Sequence, residues 1–84
     1  MSYRVLLRRG ARRQLSRPPA TGYSRALLAI RRLGDDPCPA GSLKLTDREA
    51  WRIRVGDYRV IYEIDDQTQT VTALRVLHRK DSYR

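Results

Sequence analysis

The 84-residue chain is long enough for one compact domain, and its 40% apolar content is too high for a disordered segment. No apolar run approaches the roughly 20 residues that cross a bilayer, and the N-terminus lacks the apolar segment of a secretory signal. We therefore expect residues 1–84 to form a single cytoplasmic domain, a location with which the lone Cys38 agrees because it cannot form an internal disulfide. Eighteen Lys and Arg residues against nine Asp and Glu give a net charge of +9, which favours a polyanionic partner such as nucleic acid or an acidic protein segment.

The first half of the chain predicts one strand followed by two helices. Residues 3–8 alternate apolar and basic side chains, as a half-buried strand does. Residues 11–15 suit one or two helical turns, which Pro18 and Pro19 end. A second helix is predicted from about residue 21 to residue 33, where Gly34 follows as a natural C-terminal cap. Its apolar side follows the i, i+4, i+7 spacing of Tyr23, Leu27 and Ile30.

The second half predicts a β-meander, with a short strand at 43–45 and longer strands at 50–55, 58–64 and 70–78. Apolar residues occupy both parities of the last strand, which predicts a central strand covered on two faces. The element order predicts an α+β fold, β-α-α-β-β-β(-β), with a mostly antiparallel twisted sheet and two helices packed on one face.

The two strands around Gly56 and Asp57 divide their side chains sharply between two faces. One face is apolar and comprises Trp51, Ile53, Val55, Tyr58, Val60, Tyr62 and Ile64. The other face carries Arg52, Arg54 and Arg59, and a two-residue turn places Arg54 opposite Arg59, although facing like charges are destabilising. Either a phosphate group normally lies among these guanidinium groups, which bind it bidentately, or the arginines form a solvated polar face.

The register of the last strand decides how far this basic face extends. Arg75 and Arg79 share a parity, so both join the face only if the turn before Val71 sets the appropriate register.

The sequence offers few residues for catalysis. It has no ligand spacing for a metal ion, no Gly-rich phosphate loop and, with one His, no Ser-His-Asp set, so no cofactor is expected. Phosphodiester cleavage would then require attack by an RNA 2′-hydroxyl on its own phosphate, with a base, an acid and cations. Arginine supplies only the cations, because it stays protonated. His78 and Tyr83 are the candidates for proton transfer, although a strand-end hydrogen bond and edge packing are their structural alternatives.

The same residues resemble those of a known family. Lys44-Leu45, the stretch from Trp51 to Tyr62, Val76-Leu-His-Arg79 and Tyr83-Arg84 resemble the RelE/ParE toxin superfamily, and the N-terminal strand, helices and loop also fit. The resemblance implies a type II toxin that a cognate antitoxin inhibits by wrapping around it. RelE-type members enter the ribosomal A site and cleave mRNA by the 2′-hydroxyl route without a metal ion.

The resemblance also implies site residues. Functional positions of the family fall on Arg52, Arg54, Arg59, Arg79 and Tyr83. The best-known members carry lysine at the positions of Arg52 and Arg54. Because arginine stays protonated, the expected role of base shifts to Tyr83 or His78. The expected catalytic set is Arg59, Arg79, Tyr83 and His78, and the expected RNA-binding set is Arg52, Arg54, Lys44 and Arg75.

Two other functions fit the sequence. ParE-type relatives share the fold but inhibit DNA gyrase, and they generally lack this set of Arg and Tyr residues. A degenerate toxin that only binds an antitoxin or nucleic acid is the third possibility. The presence of Arg59, Arg79 and Tyr83 favours the ribonuclease.

Overall fold

A computed structural model of the chain describes residues 3–16, 23–46 and 49–78. Its elements are β1 (Arg4–Leu7), α1 (Arg9–Ser16), α2 (Tyr23–Arg32), β2 (Leu43–Lys44), β3 (Trp51–Val55), β4 (Tyr58–Asp65) and β5 (Thr70–His78). The strands form one five-stranded sheet in the order β1-β5-β4-β3-β2. The β1–β5 pair is parallel and the other three pairs are antiparallel. The predicted α+β fold and element order are confirmed.

The β3–β4 hairpin forms as its sequence predicts. Gly56 has a φ of 59°, a left-handed conformation that glycine adopts without strain, so a two-residue turn joins the strands. The register runs from Trp51 opposite Tyr62 to Val55 opposite Tyr58.

Both helices lie on one face of the sheet and enclose the core. The apolar face of the hairpin supplies fully buried Val60 and Tyr62, and β5 supplies Val71 and Ala73. The helices contribute the buried residues Ala11, Leu15, Ala26 and Ile30. Burial of this apolar surface is the dominant favourable term in folding, and it fixes which sheet face remains outside.

Helix α1 begins earlier than predicted. It starts at Arg9 and therefore includes Gly10, whereas the sequence predicted a helix from residue 11. A glycine within a helix costs roughly 0.5 to 1 kcal/mol relative to alanine. Ala11 and Leu15, four residues apart, are both buried, and this packing outweighs the cost.

Strand β5 lies inside the sheet between β1 and β4, as predicted, but the two described helices cover only one of its faces. Ile61 pairs with Arg75 and Tyr62 pairs with Ala73, so a bulge at Leu74 shifts the register by one residue. Odd positions face the helices before the bulge and even positions face them after it. The bulge therefore explains the apolar residues at both parities, and exposed Arg75 lies on the side without helices.

Neither described helix is long and apolar enough to cross a membrane.

Candidate nucleic-acid interface

The face of the sheet opposite the helices, here called the outer face, gathers the predicted arginines. Arg54 and Arg59 are register partners, as the sequence predicted, and Leu77 follows Arg59 on β5. The next row comprises Arg75, Ile61, Arg52 and Leu43, from β5 through to β2. Strands β3, β4 and β5 thus place four guanidinium groups in two adjacent rows, and the register that the sequence left open brings Arg75 onto this face.

The four arginines of the outer face remain available to a ligand. Arg54 and Arg75 are exposed, and Arg52 and Arg59 are half-buried. A cleft of about 270 Å³ is lined by Gly41, Leu43, Ile53, Arg52, Arg54 and Arg59. Within residues 3–16, 23–46 and 49–78, the one ion pair joins Lys44 to Glu49, so no described carboxylate neutralises these arginines. The arrangement suits an anion that guanidinium groups can bind bidentately.

Aliphatic side chains lie between the arginines. Ile61 and Leu77 are half-buried, and Leu43 remains 54% exposed at the edge of the sheet. Each has an arginine as its register neighbour. The outer face therefore offers apolar contact area as well as positive charge.

Lys44 does not join the outer face. Its register partner is Trp51, whereas its neighbour Leu43 pairs with Arg52, so Lys44 points to the opposite side of β2. Its Nζ atom lies 3.3 Å from the Glu49 carboxylate, and both side chains are mostly exposed.

His78 also lies on the face that carries the helices. It pairs with Tyr58 across β4 and β5, and the two rings meet edge to face with centroids 5.2 Å apart and planes at 89°. Trp51 and Tyr62 pack into the same apolar side, as expected. The structure thus separates His78 from the four arginines by the thickness of the sheet, although His78 ends its strand.

Two predicted catalytic residues, Arg79 and Tyr83, lie outside the described residues. Their roles stay predictions.

Tyr62, which the sequence predicted on the apolar face, fixes the loop beside the cleft. The Tyr62 hydroxyl donates a hydrogen bond of 2.7 Å to the carbonyl oxygen of Pro37. Burial raises the pKa of Tyr62 to about 12, against a smaller lowering by the Ser42 side chain. The loop continues to Gly41 and Leu43, which line the cleft. A tyrosine within an apolar strand was the available signal, because a buried phenol requires a hydrogen-bond partner.

Comparison with known proteins places this geometry in a family. A family model described as the ParE toxin of the type II toxin–antitoxin system, parDE, matches residues 5–83. Toxin RelG of Mycobacterium tuberculosis (strain ATCC 25618 / H37Rv) is 37% identical, over 100% of this chain and 99% of that protein.

Solved structures agree with the sequence matches. The RelBE2 toxin–antitoxin complex of Mycobacterium tuberculosis contains a chain that is 31% identical with a TM-score of 0.79, covering 94% of this chain and 100% of that one. The archaeal RelE–RelB complex of Pyrococcus horikoshii OT3 contains a chain that is 29% identical with a TM-score of 0.81, covering 94% and 97%. The chain therefore belongs to the RelE/ParE superfamily of type II toxin–antitoxin toxins.

Proposed function

We propose that the protein is an endoribonuclease that cleaves mRNA in the ribosomal A site. The observation that carries the proposal is the outer face, where Arg52, Arg54, Arg59 and Arg75 converge without a described carboxylate partner. A like-charge pair directly across a hairpin destabilises the free protein, and a bound phosphate backbone reverses that cost. Membership of the RelE/ParE superfamily supports the same activity.

The proposed reaction needs no metal ion. The RNA 2′-oxygen attacks the adjacent phosphorus, a base removes its proton, and the bond to the 5′-oxygen breaks as an acid protonates that oxygen. The products are a cyclic 2′,3′-phosphate and a 5′-hydroxyl. Negative charge accumulates on the phosphate oxygens in the transition state, where fixed guanidinium groups stabilise it.

The outer face suggests a division of roles. Arg59 lies between Leu77 and Arg54 in the middle of the sheet, so we assign it, with Arg79, to the scissile phosphate. Arg52, Arg54 and Arg75 bind the flanking backbone. Arginine cannot act as the base.

Proton transfer requires another residue. His78 packs against Tyr58 on the opposite face, a geometry that favours Tyr83 over His78 for this role. Neighbouring cations would lower the pKa of a tyrosine and make its phenolate accessible near neutral pH.

Cleavage of mRNA on programmed ribosomes tests the proposal. The wild type should produce fragments with cyclic phosphate and 5′-hydroxyl ends. Arg59→Ala should lower the single-turnover rate by roughly 100-fold, the usual effect of losing one transition-state donor. Tyr83→Phe should abolish the pH dependence of the remaining rate.

Arg32→Ala is the matched control, because Arg32 is an exposed arginine on α2, away from the outer face. It should cleave at the wild-type rate. Intact mRNA in the presence of folded wild-type protein, with and without ribosomes, would rule out the ribonuclease.

A second candidate function is inhibition of DNA gyrase. The observation that favours it is the match of residues 5–83 to the ParE toxin family model. A supercoiling assay separates the two functions: gyrase inhibition together with intact mRNA would identify a ParE-like toxin. Normal supercoiling, intact mRNA and unaffected growth on induction would identify a degenerate toxin.

A cognate antitoxin is the expected protein partner, and the cytoplasm, which contains ribosomes and mRNA, is the expected location. Two structures similar to this chain are toxin–antitoxin complexes. The net charge of +9 favours an acidic segment in the partner. Co-purification with the product of a neighbouring reading frame tests this pairing, and full cleavage activity in the presence of that product would contradict it.

A further inference from the structure

An arginine of helix α2, Arg25, lies close to the tip of the β3–β4 hairpin. A Cβ atom placed on Gly56 would lie 3.7 Å from an Nη atom of Arg25 and 4.0 Å from its Cζ atom. The Arg25 guanidinium group therefore lies beside the turn at Gly56, which has no side chain. Arg54 and Arg59 flank the same turn as register partners on the outer face.

Among the residues that the structure describes, no ion pair joins a carboxylate to the guanidinium groups at this tip. Asp57, the other residue of the turn, is exposed, and within the described ranges no ion pair joins it to any of the three arginines. Arg25 also lies in the first turn of α2, which has no acidic residue there. The dipole of the helix adds positive potential at that end rather than offsetting the charge.

Glycine at position 56 keeps the approach to Arg25 open. Any larger residue would place its side chain against the guanidinium group, and most would also be strained at a φ of 59°. The tip thus has Arg54 and Arg59 beside the turn on the outer face and Arg25 beside the turn on the helix side.

We propose that Arg25 binds a phosphate of the RNA backbone at the hairpin tip, so that the RNA passes from the outer face around the turn toward α2. The inference rests on the proposed function, and it adds a contact on the helix side of the sheet. Arg25 does not reach the scissile phosphate, so it contributes to affinity and not to the chemical step.

Binding to a short single-stranded RNA with 2′-O-methyl groups tests the contact without cleavage. Each phosphate neutralised on a single strand contributes about 0.7 to the slope of log affinity against log salt. Arg25→Ala should reduce the slope by about that amount and weaken binding by roughly two- to five-fold at low salt. Arg25→Lys, which keeps the charge, should retain the slope.

Arg32→Ala is the control, because it removes the same charge from the same face of α2, seven residues and about 10 Å further along the helix. It should leave the slope unchanged, and circular dichroism should show both alanine variants folded. Equal slopes for Arg25→Ala and the wild type, equal losses in both alanine variants, or no binding by the wild type would overturn the inference.

Cleavage on ribosomes separates this inference from the proposed function. Arg25→Ala should need roughly two- to five-fold more protein to reach half of its maximal cleavage rate, whereas Arg32→Ala should need no more than the wild type. Intact mRNA together with a slope change confined to Arg25→Ala would refute the ribonuclease and retain the phosphate contact.

Discussion

At the scale of single residues, the Tyr62 phenol joins the core to the loop beside the cleft. Its ring is fully buried, and its hydroxyl donates to the Pro37 carbonyl. Tyr62→Phe keeps the ring and leaves that carbonyl without its donor. We expect a loss of about 1 kcal/mol in the free energy of unfolding, measured by chemical denaturation, because a single neutral hydrogen bond contributes that much.

The same phenol makes stability depend on pH. Burial raises the pKa of Tyr62 from 10 in the unfolded chain to about 12 in the folded protein. Its contribution is fully present below pH 10 and is lost as the pH rises toward 12, because the unfolded state releases the proton first.

Tyr62→Phe should therefore lose less stability than the wild type over this pH range. Tyr3→Phe is a second test: the hydrogen bond that the Tyr3 hydroxyl donates to Asp66 also raises the pKa of Tyr3, so this variant should likewise lose less stability than the wild type as the pH rises. The prediction fails if Tyr62→Phe and the wild type show parallel curves.

Arg54 and Arg59 are a pair whose geometry favours binding over stability. They face each other directly across the hairpin, where like charges are destabilising by a few tenths to 1 kcal/mol. Arg54→Thr should raise the free energy of unfolding by roughly that amount at low salt, and the gain should shrink as salt screens the repulsion. RNA affinity should fall in the same variant.

Arg4→Thr provides the control for this substitution. Arg4 is an exposed strand arginine whose register partner is Thr70 and not another cation. Equal stabilisation by both substitutions would attribute the gain to β-propensity and not to relief of repulsion.

At the scale of elements, the sequence predicted most of the architecture but not its irregularities. The strict alternation from Trp51 to Tyr62 predicted the hairpin, its turn and the facing arginines, because period and turn chemistry are local properties. The sequence shows the bulge at Leu74 only as apolar residues at both parities, a pattern that a strand covered on two faces would share. The position of Arg75 could not be predicted for the same reason, since one residue of slip reverses every side chain.

The site was predictable only where it followed local periodicity. Lys44 and His78 were candidates by residue type, yet both lie on the other side of the sheet from the four arginines. Arg25 was not among the predicted binding residues, because its approach to Gly56 requires the tertiary packing of α2 on the hairpin. Residue type identifies possible chemistry, and register decides which groups meet.

Helix α1 supplies a hydrogen-bond acceptor for the backbone of β5 beyond the end of β1. β1 extends only to Leu7, and beyond it the backbone N–H of Val76 donates a hydrogen bond of 2.7 Å to Oε1 of Gln14. Val76 is 2% exposed, so water cannot readily replace this acceptor. Gln14→Leu should cost about 1 to 3 kcal/mol in the free energy of unfolding, the penalty for an unsatisfied buried donor.

Gln14→Glu keeps an acceptor oxygen and should unfold close to the wild type. Arg13→Leu, on an exposed position of the same helix, controls for the introduced leucine. Equal effects of the two leucine substitutions would show that the hydrogen bond to Val76 contributes no net stability.

At the scale of the whole molecule, charge is graded along the outer face. Strand β4 places Arg59, Ile61, Glu63 and Asp65 on this face in that order, from the hairpin tip to the opposite end. Glu49, Glu63, Asp65 and Asp66 line a cleft of about 430 Å³ at that end. A protein of net charge +9 thus concentrates several of its nine acidic residues away from the arginines. The resulting field favours polyanions that approach the hairpin half of the sheet.

Glu63→Lys tests whether this gradient acts on the approach of RNA or on the bound complex. Four residues of strand place Glu63 about 14 Å from Arg59, outside a phosphate contact there but within the field that an approaching strand experiences at low salt. Changing the charge by two units at that distance contributes about 0.6 kcal/mol in water, so RNA should associate roughly threefold faster at low ionic strength. The dissociation rate should remain that of the wild type, whereas Arg59→Ala should raise it.

At physiological ionic strength the screening length is about 8 Å, and the gain in association rate of Glu63→Lys should disappear. Stopped-flow measurements over a range of salt concentrations distinguish these effects: slower dissociation of Glu63→Lys at high salt would mean that the bound RNA extends along β4 as far as Glu63, beyond the hairpin half of the outer face.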